Sequence, residues 1–89
     1  MEVIHNSKEK SFLIQIENDI AYVSYNLNNE VMDLYTTYTP PQLRGKGLAE
    51  KVVRAALEYA KSNNLKIIPS CSYVKVFLER HPEYKSLVK

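Results

Sequence analysis

Eighty-nine residues, 45% of them apolar, with 12 basic and 10 acidic side chains and a net charge of +2, suffice for one hydrophobic core and not two. One small domain over residues 1–89 is therefore expected. A single cysteine builds no internal disulfide, no apolar run approaches the length of a bilayer span, and Met1-Glu2-Val3-Ile4-His5-Asn6 is neither basic nor apolar enough for a secretion leader, which together predict a soluble cytoplasmic protein with no membrane partner.

Residues 1–10 turn polar after Val3-Ile4 and read as a solvated approach to the first strand. Phe12, Ile14 and Ile16 then alternate with Gln15 and Glu17, the period-two pattern of a half-buried strand over residues 11–17. Asn18-Asp19 predicts a turn. Residues 20–27 are rich in aromatic and branched side chains, and Asn28-Asn29 predicts a second hairpin turn because asparagine tolerates left-handed dihedrals. The third strand, residues 31–39, is dense in Tyr and Thr, and Pro40-Pro41 ends it by removing two backbone donors. Two hairpins give a three-stranded antiparallel meander.

Both glycines of the chain lie in Gln42-Leu43-Arg44-Gly45-Lys46-Gly47-Leu48-Ala49. Behind them Leu48, Val52, Ala56 and Ala60 recur every four residues, with Ala49, Val53 and Leu57 alongside, so the loop opens a helix. Ser62-Asn63-Asn64 is its stop signal, and Leu65-Lys66-Ile67-Ile68 a short buried strand closed by Pro69. A strand, a crossover helix and another strand predict a right-handed unit whose last two strands are parallel. Val74, Phe77 and Leu78 predict a helix over residues 73–80, capped by Ser70 or Ser72, and the tail a further helical turn over Pro82–Leu87. The expected fold class is α+β: the meander, a βαβ-type unit, a C-terminal helix and one mixed sheet.

Glycines just ahead of a helix permit positive dihedrals and a nest of inward-pointing amides. With the positive end of the helix dipole and the cations Arg44 and Lys46 beside it, the loop suits a phosphate or pyrophosphate. It is not a nucleoside-triphosphatase loop, since Lys46 is followed by Gly47 and Leu48 where Ser or Thr would hold magnesium. Nor does it fit a dinucleotide fingerprint, because the third small residue is replaced by Glu50. Charge follows the same division. Residues 1–41 carry 2 Lys against 6 acidic groups, a balance of −4, and residues 42–89 carry 10 basic against 4 acidic groups, a balance of +6. The basic half would draw in a polyphosphate ligand through its summed field. The excess is too small and too dispersed to favour nucleic acid. No His/Cys/Asp/Glu cluster has metal spacing, and none is assigned.

Gln42-x-x-Gly45-x-Gly47 resembles the acetyl-coenzyme A signature of the GNAT superfamily of N-acetyltransferases. The resemblance extends through Thr37-Tyr38-Thr39-Pro40, the following helix, Ile68-Pro69-Ser70-Cys71-Ser72-Tyr73-Val74 and His81-Pro82-Glu83-Tyr84, about the last two thirds of the chain, and is similar to the minimal branch of the superfamily. It implies that acetyl-coenzyme A binds in a gap between the third and fourth expected strands and that its acetyl group passes to an amine. Its pyrophosphate would lie on the loop amides from Arg44 to Ala49, and its pantetheine arm along the backbone of Thr37, Tyr38 and Thr39, with Ser70 nearby. Cys71 would face the thioester as a nucleophile or a contact. A helix N-terminus favours the thiolate such a nucleophile needs, although a lone cysteine is commonly a small buried hydrophobe. Tyr73 is the candidate acid for the leaving thiolate. Phe77 and Arg80, on one face of the last main helix, would meet the adenine and ribose phosphate, with core packing and a solvated ion pair as the competing explanations. His81 reads as a helix-end residue, His5 receives no role, and Glu30 and Asp33 are bases only if they face the cleft. Typical superfamily members carry two further helices walling the acceptor site, for which this sequence shows no segment. A coenzyme-A-binding module without turnover is accordingly the main alternative, and a nucleic-acid-binding domain a distant one.

Overall fold

The computed structural model describes residues 2–89, which form a mixed sheet of five strands covered on one face by helices. The strands are β1 (Ile4–Asn6), β2 (Ser11–Ile16), β3 (Asp19–Asn28), β4 (Val31–Tyr38) and β5 (Lys66–Ile68), and they lie in chain order across the sheet. The first four run antiparallel and β5 joins β4 in parallel. Helix α1 (Leu48–Ser62) makes the crossover between β4 and β5, and α2 (Ser72–Arg80) and a 3-10 helix (Pro82–Leu87) follow. The expected α+β order is therefore observed.

The meander has one strand more than the period-two pattern indicated. Residues expected to be a solvated approach pair with β2, Ile4 to Leu13 and Asn6 to Ser11. Three residues are too few for an alternation to register in sequence. What holds β1 is His5, whose ring stacks on Phe12 at 4.1 Å and meets Tyr59 of α1 edge-on at 4.5 Å, while Nε2 bonds the Tyr25 hydroxyl at 2.7 Å. The hairpin turns also shift by a residue. Ile16 pairs with Asp19 and Asn28 with Val31, so the left-handed positions fall on Glu17 and Asn29.

Alternation sorts the strands into two faces. Phe12, Val23 and Thr37 form one row of the inner face, with Ile14 and Ala21 in the next and Leu27, Met32 and Ile67 at the far end. Against it α1 lays Leu48, Val52, Val53, Ala56, Leu57 and Ala60, all buried, the stripe its four-residue spacing dictates. Asn64 takes the left-handed conformation just past the helix and Asn63 bonds back to the Tyr59 carbonyl, which explains the stop at Ser62. Helix α2 contributes Val74, Phe77 and Leu78 to the same core, and the Tyr84 hydroxyl donates to Glu58 at 2.6 Å, fastening the last 3-10 helix to α1. Neither serine caps α2. Its N-cap is Cys71, whose side chain makes no cap bond, and the Cys71 N–H donates to the Leu34 carbonyl at 2.9 Å.

Candidate functional site: a cleft beside the free edge of strand β4

Two features of β4 create the site. Tyr25 pairs with Leu34 and Ser24 with Thr36, so Tyr35 is an extra residue that breaks the register. Such a bulge bends its strand and increases local twist. On the other side, β4 and β5 pair only from Val31 to Asp33, and the next bond is the one from Cys71 N–H to the Leu34 carbonyl. Past that point β4 remains paired to β3 through Thr36, Thr37 and Tyr38, while its other edge has no strand partner among the described residues. The backbone groups on that edge are available to a ligand that lies along it as a strand would.

Beyond β4 the chain makes a 3-10 turn (Pro41–Leu43) whose buried Leu43 anchors the loop, and Arg44 ties it back by donating from Nε to the Thr39 carbonyl at 3.0 Å. Gly45 and Gly47 both adopt left-handed backbone, at φ +85° and +75°. Gly47 is the N-cap of α1, and having no side chain it leaves the first-turn amides uncapped. A Cβ added at either glycine would meet no protein atom within 4 Å, so both face open space. The Glu50 carboxylate sits in the same first turn, neutralised across one helical turn by Arg54 at 3.2 Å.

A cleft of about 390 Å³ joins these parts. It brings together Thr37, Tyr38 and Thr39 from β4, Arg44, Gly45 and Gly47 from the loop, Leu48 and Ala49 from α1, and Tyr73 from α2. Leu43 and Glu50 also line it. Sequence reasoning weighed Glu50 only against a dinucleotide site; its place one turn into the helix was the signal that it would face this mouth. Cys71 does not line the cleft; it is half-buried behind it, its Sγ 3.7 Å from the hydroxyl of the lining residue Thr37. Tyr73 is partly exposed, and its pKa is raised above the usual tyrosine value by burial and then by the Glu50 charge, with Arg80 opposing. The hydroxyl therefore keeps its proton through neutral pH.

Five of the candidate site residues, Cys71 among them, lie apart from the cleft lining. Lys46 and Ser70 are exposed beside it. Phe77 is 4% exposed, wedged under the Arg54 guanidinium and against the His81 ring at 4.2 Å, so its ring offers no free face for stacking a base. Arg80 is exposed on the same helix, where its charge is felt at Tyr73. His81 closes α2 and lies 3.7 Å from Glu83. No group of three potential metal ligands gathers among the described residues, and none of their helices is long and apolar enough to cross a membrane.

An N-terminal glycine nest on a crossover helix, next to a strand freed from its parallel neighbour, is the arrangement that a comparison with known families resolves. Residues 11–87 match the profile of the family described as GCN5-related N-acetyl-transferase. The chain belongs to that family. It is 28% identical over 89 residues to Protein NATD1 of Danio rerio, covering 94% of this chain and 81% of that one, and 27% identical over 85 residues to Protein NATD1 of Gallus gallus, covering 92% and 77%. The solution structure of a protein from Staphylococcus aureus described as GCN5-like superposes with a TM-score of 0.78 at 33% identity, covering 99% of this chain and 87% of that one. This family member thus has the minimal N-acetyltransferase-like fold, with the cleft on its β4 side.

Proposed function

We propose that the protein binds acetyl-coenzyme A along the free edge of β4 and transfers its acetyl group to an amine. The observation that carries this reading is the pair of left-handed glycines opening into uncapped first-turn amides, with space on the ligand side at both Cβ positions. That geometry fits a pyrophosphate, which would add acceptors where the helix leaves donors unmatched and where its dipole is positive. Arg44 and Lys46 supply cations at the rim, and residues 37–39 supply backbone groups for the pantetheine amides. No adenine platform is assigned to Phe77, since its ring is enclosed by the core.

The chemistry is aminolysis of a thioester. The amine nitrogen attacks the carbonyl carbon, the carbon–sulfur bond breaks, the coenzyme thiolate takes a proton and the amine loses one. Tyr73, held in its protonated form at the cleft, is the group proposed to give that proton. Direct attack is favoured over an acyl-enzyme on Cys71. A nucleophilic thiol needs a base within hydrogen-bond reach, and the neighbour of this one is the hydroxyl of Thr37.

Incubation with acetyl-labelled coenzyme A, with peptide lysine, a polyamine and a monoamine offered as acceptors, tests the reading. Label on an amine, lowered about 100-fold in Tyr73→Phe and retained in Cys71→Ala, is the expected result. Binding of the coenzyme without transfer to any acceptor or to Cys71 would reduce the protein to a carrier or sensor of acyl groups.

A further inference from the structure

Glu50 sits awkwardly at the mouth of α1. It is the third helical residue behind the N-cap Gly47, a position from which a carboxylate can swing back onto the N-cap amide and close the helix end. The helix dipole favours that move, which would place a built-in anion on the donors that the glycines leave open. The structure shows the opposite. Glu50 Oε2 accepts from Arg54 Nη2 at 3.2 Å, one turn further along α1, so the carboxylate is drawn away from the amides while it still lines the cleft.

An i,i+4 pair this exposed, at 39% and 51% for the two side chains, contributes little to stability by itself. What sets it apart is how Arg54 is held. Its Nη1 donates to the Tyr84 hydroxyl at 3.4 Å, and its guanidinium carbon lies 5.4 Å from the centre of the Phe77 ring and 6.0 Å from that of Tyr84. The Tyr84 hydroxyl is fixed in turn by its bond to Glu58. Both rings are buried, so α2 and the last 3-10 helix set the guanidinium in place and leave Nη2 for Glu50. We propose that Arg54 is a positioning residue for coenzyme binding: clamped by Phe77 and Tyr84, it keeps the Glu50 carboxylate out of the glycine nest and leaves the first-turn amides to an incoming pyrophosphate. The ligand in this assignment rests on the acyl-transfer reading above, whereas the clamp itself does not. Tyr84, in the stretch His81-Pro82-Glu83-Tyr84, thereby serves a cleft that it does not line.

Calorimetric titration of coenzyme A into the native chain, Arg54→Met, Glu50→Ala and the double variant, with backbone-amide NMR of each without ligand, tests this. Arg54→Met should weaken binding about tenfold, because the released carboxylate competes for the amides and repels the ligand, and the loss should shrink at high salt. Glu50→Ala should bind within about twofold of the native chain, since its carboxylate is already held off the amides, and the double variant should match it. Without ligand, the Gly47 amide should shift in Arg54→Met and return in the double variant. Tyr84→Phe, which keeps the ring and drops the hydroxyl, should weaken binding about threefold and be relieved by Glu50→Ala in the same way. Unchanged affinity in Arg54→Met and in Tyr84→Phe would overturn the proposal. So would a loss in Arg54→Met that persists without Glu50, which would put Arg54 on the ligand or in the fold, or a tenfold tightening in Glu50→Ala alone, which would put the carboxylate in the nest already. A native chain that binds no coenzyme A sinks the acyl-transfer reading, and the Gly47 amide then still decides the clamp. Native binding left intact in Arg54→Met sinks only the clamp.

Discussion

At the scale of single residues the account turns on Gly45 and Gly47. They were legible in the sequence because they are its only glycines and stand where a helical pattern begins. Left-handed backbone costs an L-residue about 1–2 kcal/mol, and here nothing else resists a methyl group. Gly47→Ala should therefore stay folded and lose about 1–2 kcal/mol in denaturant unfolding, yet lose a larger share of its coenzyme A affinity, because the methyl group enters the ligand's space. Equal affinity in the variant would remove the loop from the site. Tyr73 gives a second prediction. Its raised pKa comes from burial first and Glu50 next, with Arg80 opposing. An acid with a raised pKa stays competent as pH rises past the ordinary tyrosine value and fails only beyond it. The alkaline limb of the rate profile should then move to lower pH in Glu50→Gln and to higher pH in Arg80→Gln, and movement in one direction for both would exclude Tyr73 as the titrating group. Phe77 shows where residue-level reading stops. Spacing put it on one face with Arg80, but which face the core would claim depends on how α2 meets α1, and it is enclosed by Arg54 of α1, distant in sequence, and by Tyr84 of the next 3-10 helix.

At the scale of elements, long periodic segments were legible and short or non-local ones were not. Strands β2, β3 and β4 and helix α1 announce themselves through periods of two and 3.6. Strand β1 does not, since its three residues are held by an aromatic cluster contributed by β2, β3 and α1. The bulge at Tyr35 was equally hidden, because a register break belongs to a pair of strands and leaves no mark on either alone. The β1 cluster carries a pH dependence. Burial lowers the His5 pKa, so the folded chain resists a proton that the unfolded chain accepts near its usual value of about 6.5. This contribution to stability is complete above that value and is lost as pH falls through it. The unfolding midpoint of the native sequence should fall more steeply between pH 7.5 and 5 than that of His5→Phe, which keeps an aromatic ring over Phe12. Parallel slopes would mean that His5 titrates as it does in the unfolded chain.

At the scale of the whole molecule, the division of charge seen in the sequence becomes a division of surfaces. The basic half builds the glycine loop, α1 and α2, and the acidic half builds most of the bare side of the sheet. A polyphosphate ligand would be drawn by that summed field to the basic side. The loop and the chain order of this arrangement were legible in the pattern of residues, and the gap between β4 and β5 only through the family resemblance; the bulge at Tyr35 and the bond from the Cys71 N–H to the Leu34 carbonyl beside that gap were not. Calorimetric titration of coenzyme A into the native sequence and into Gly45→Glu tests the central claim most directly. Saturable binding at one site is predicted for the first and its loss for the second, whose carboxylate would occupy and repel the pyrophosphate position. Equal binding by both, or none by the native sequence, would contradict the account.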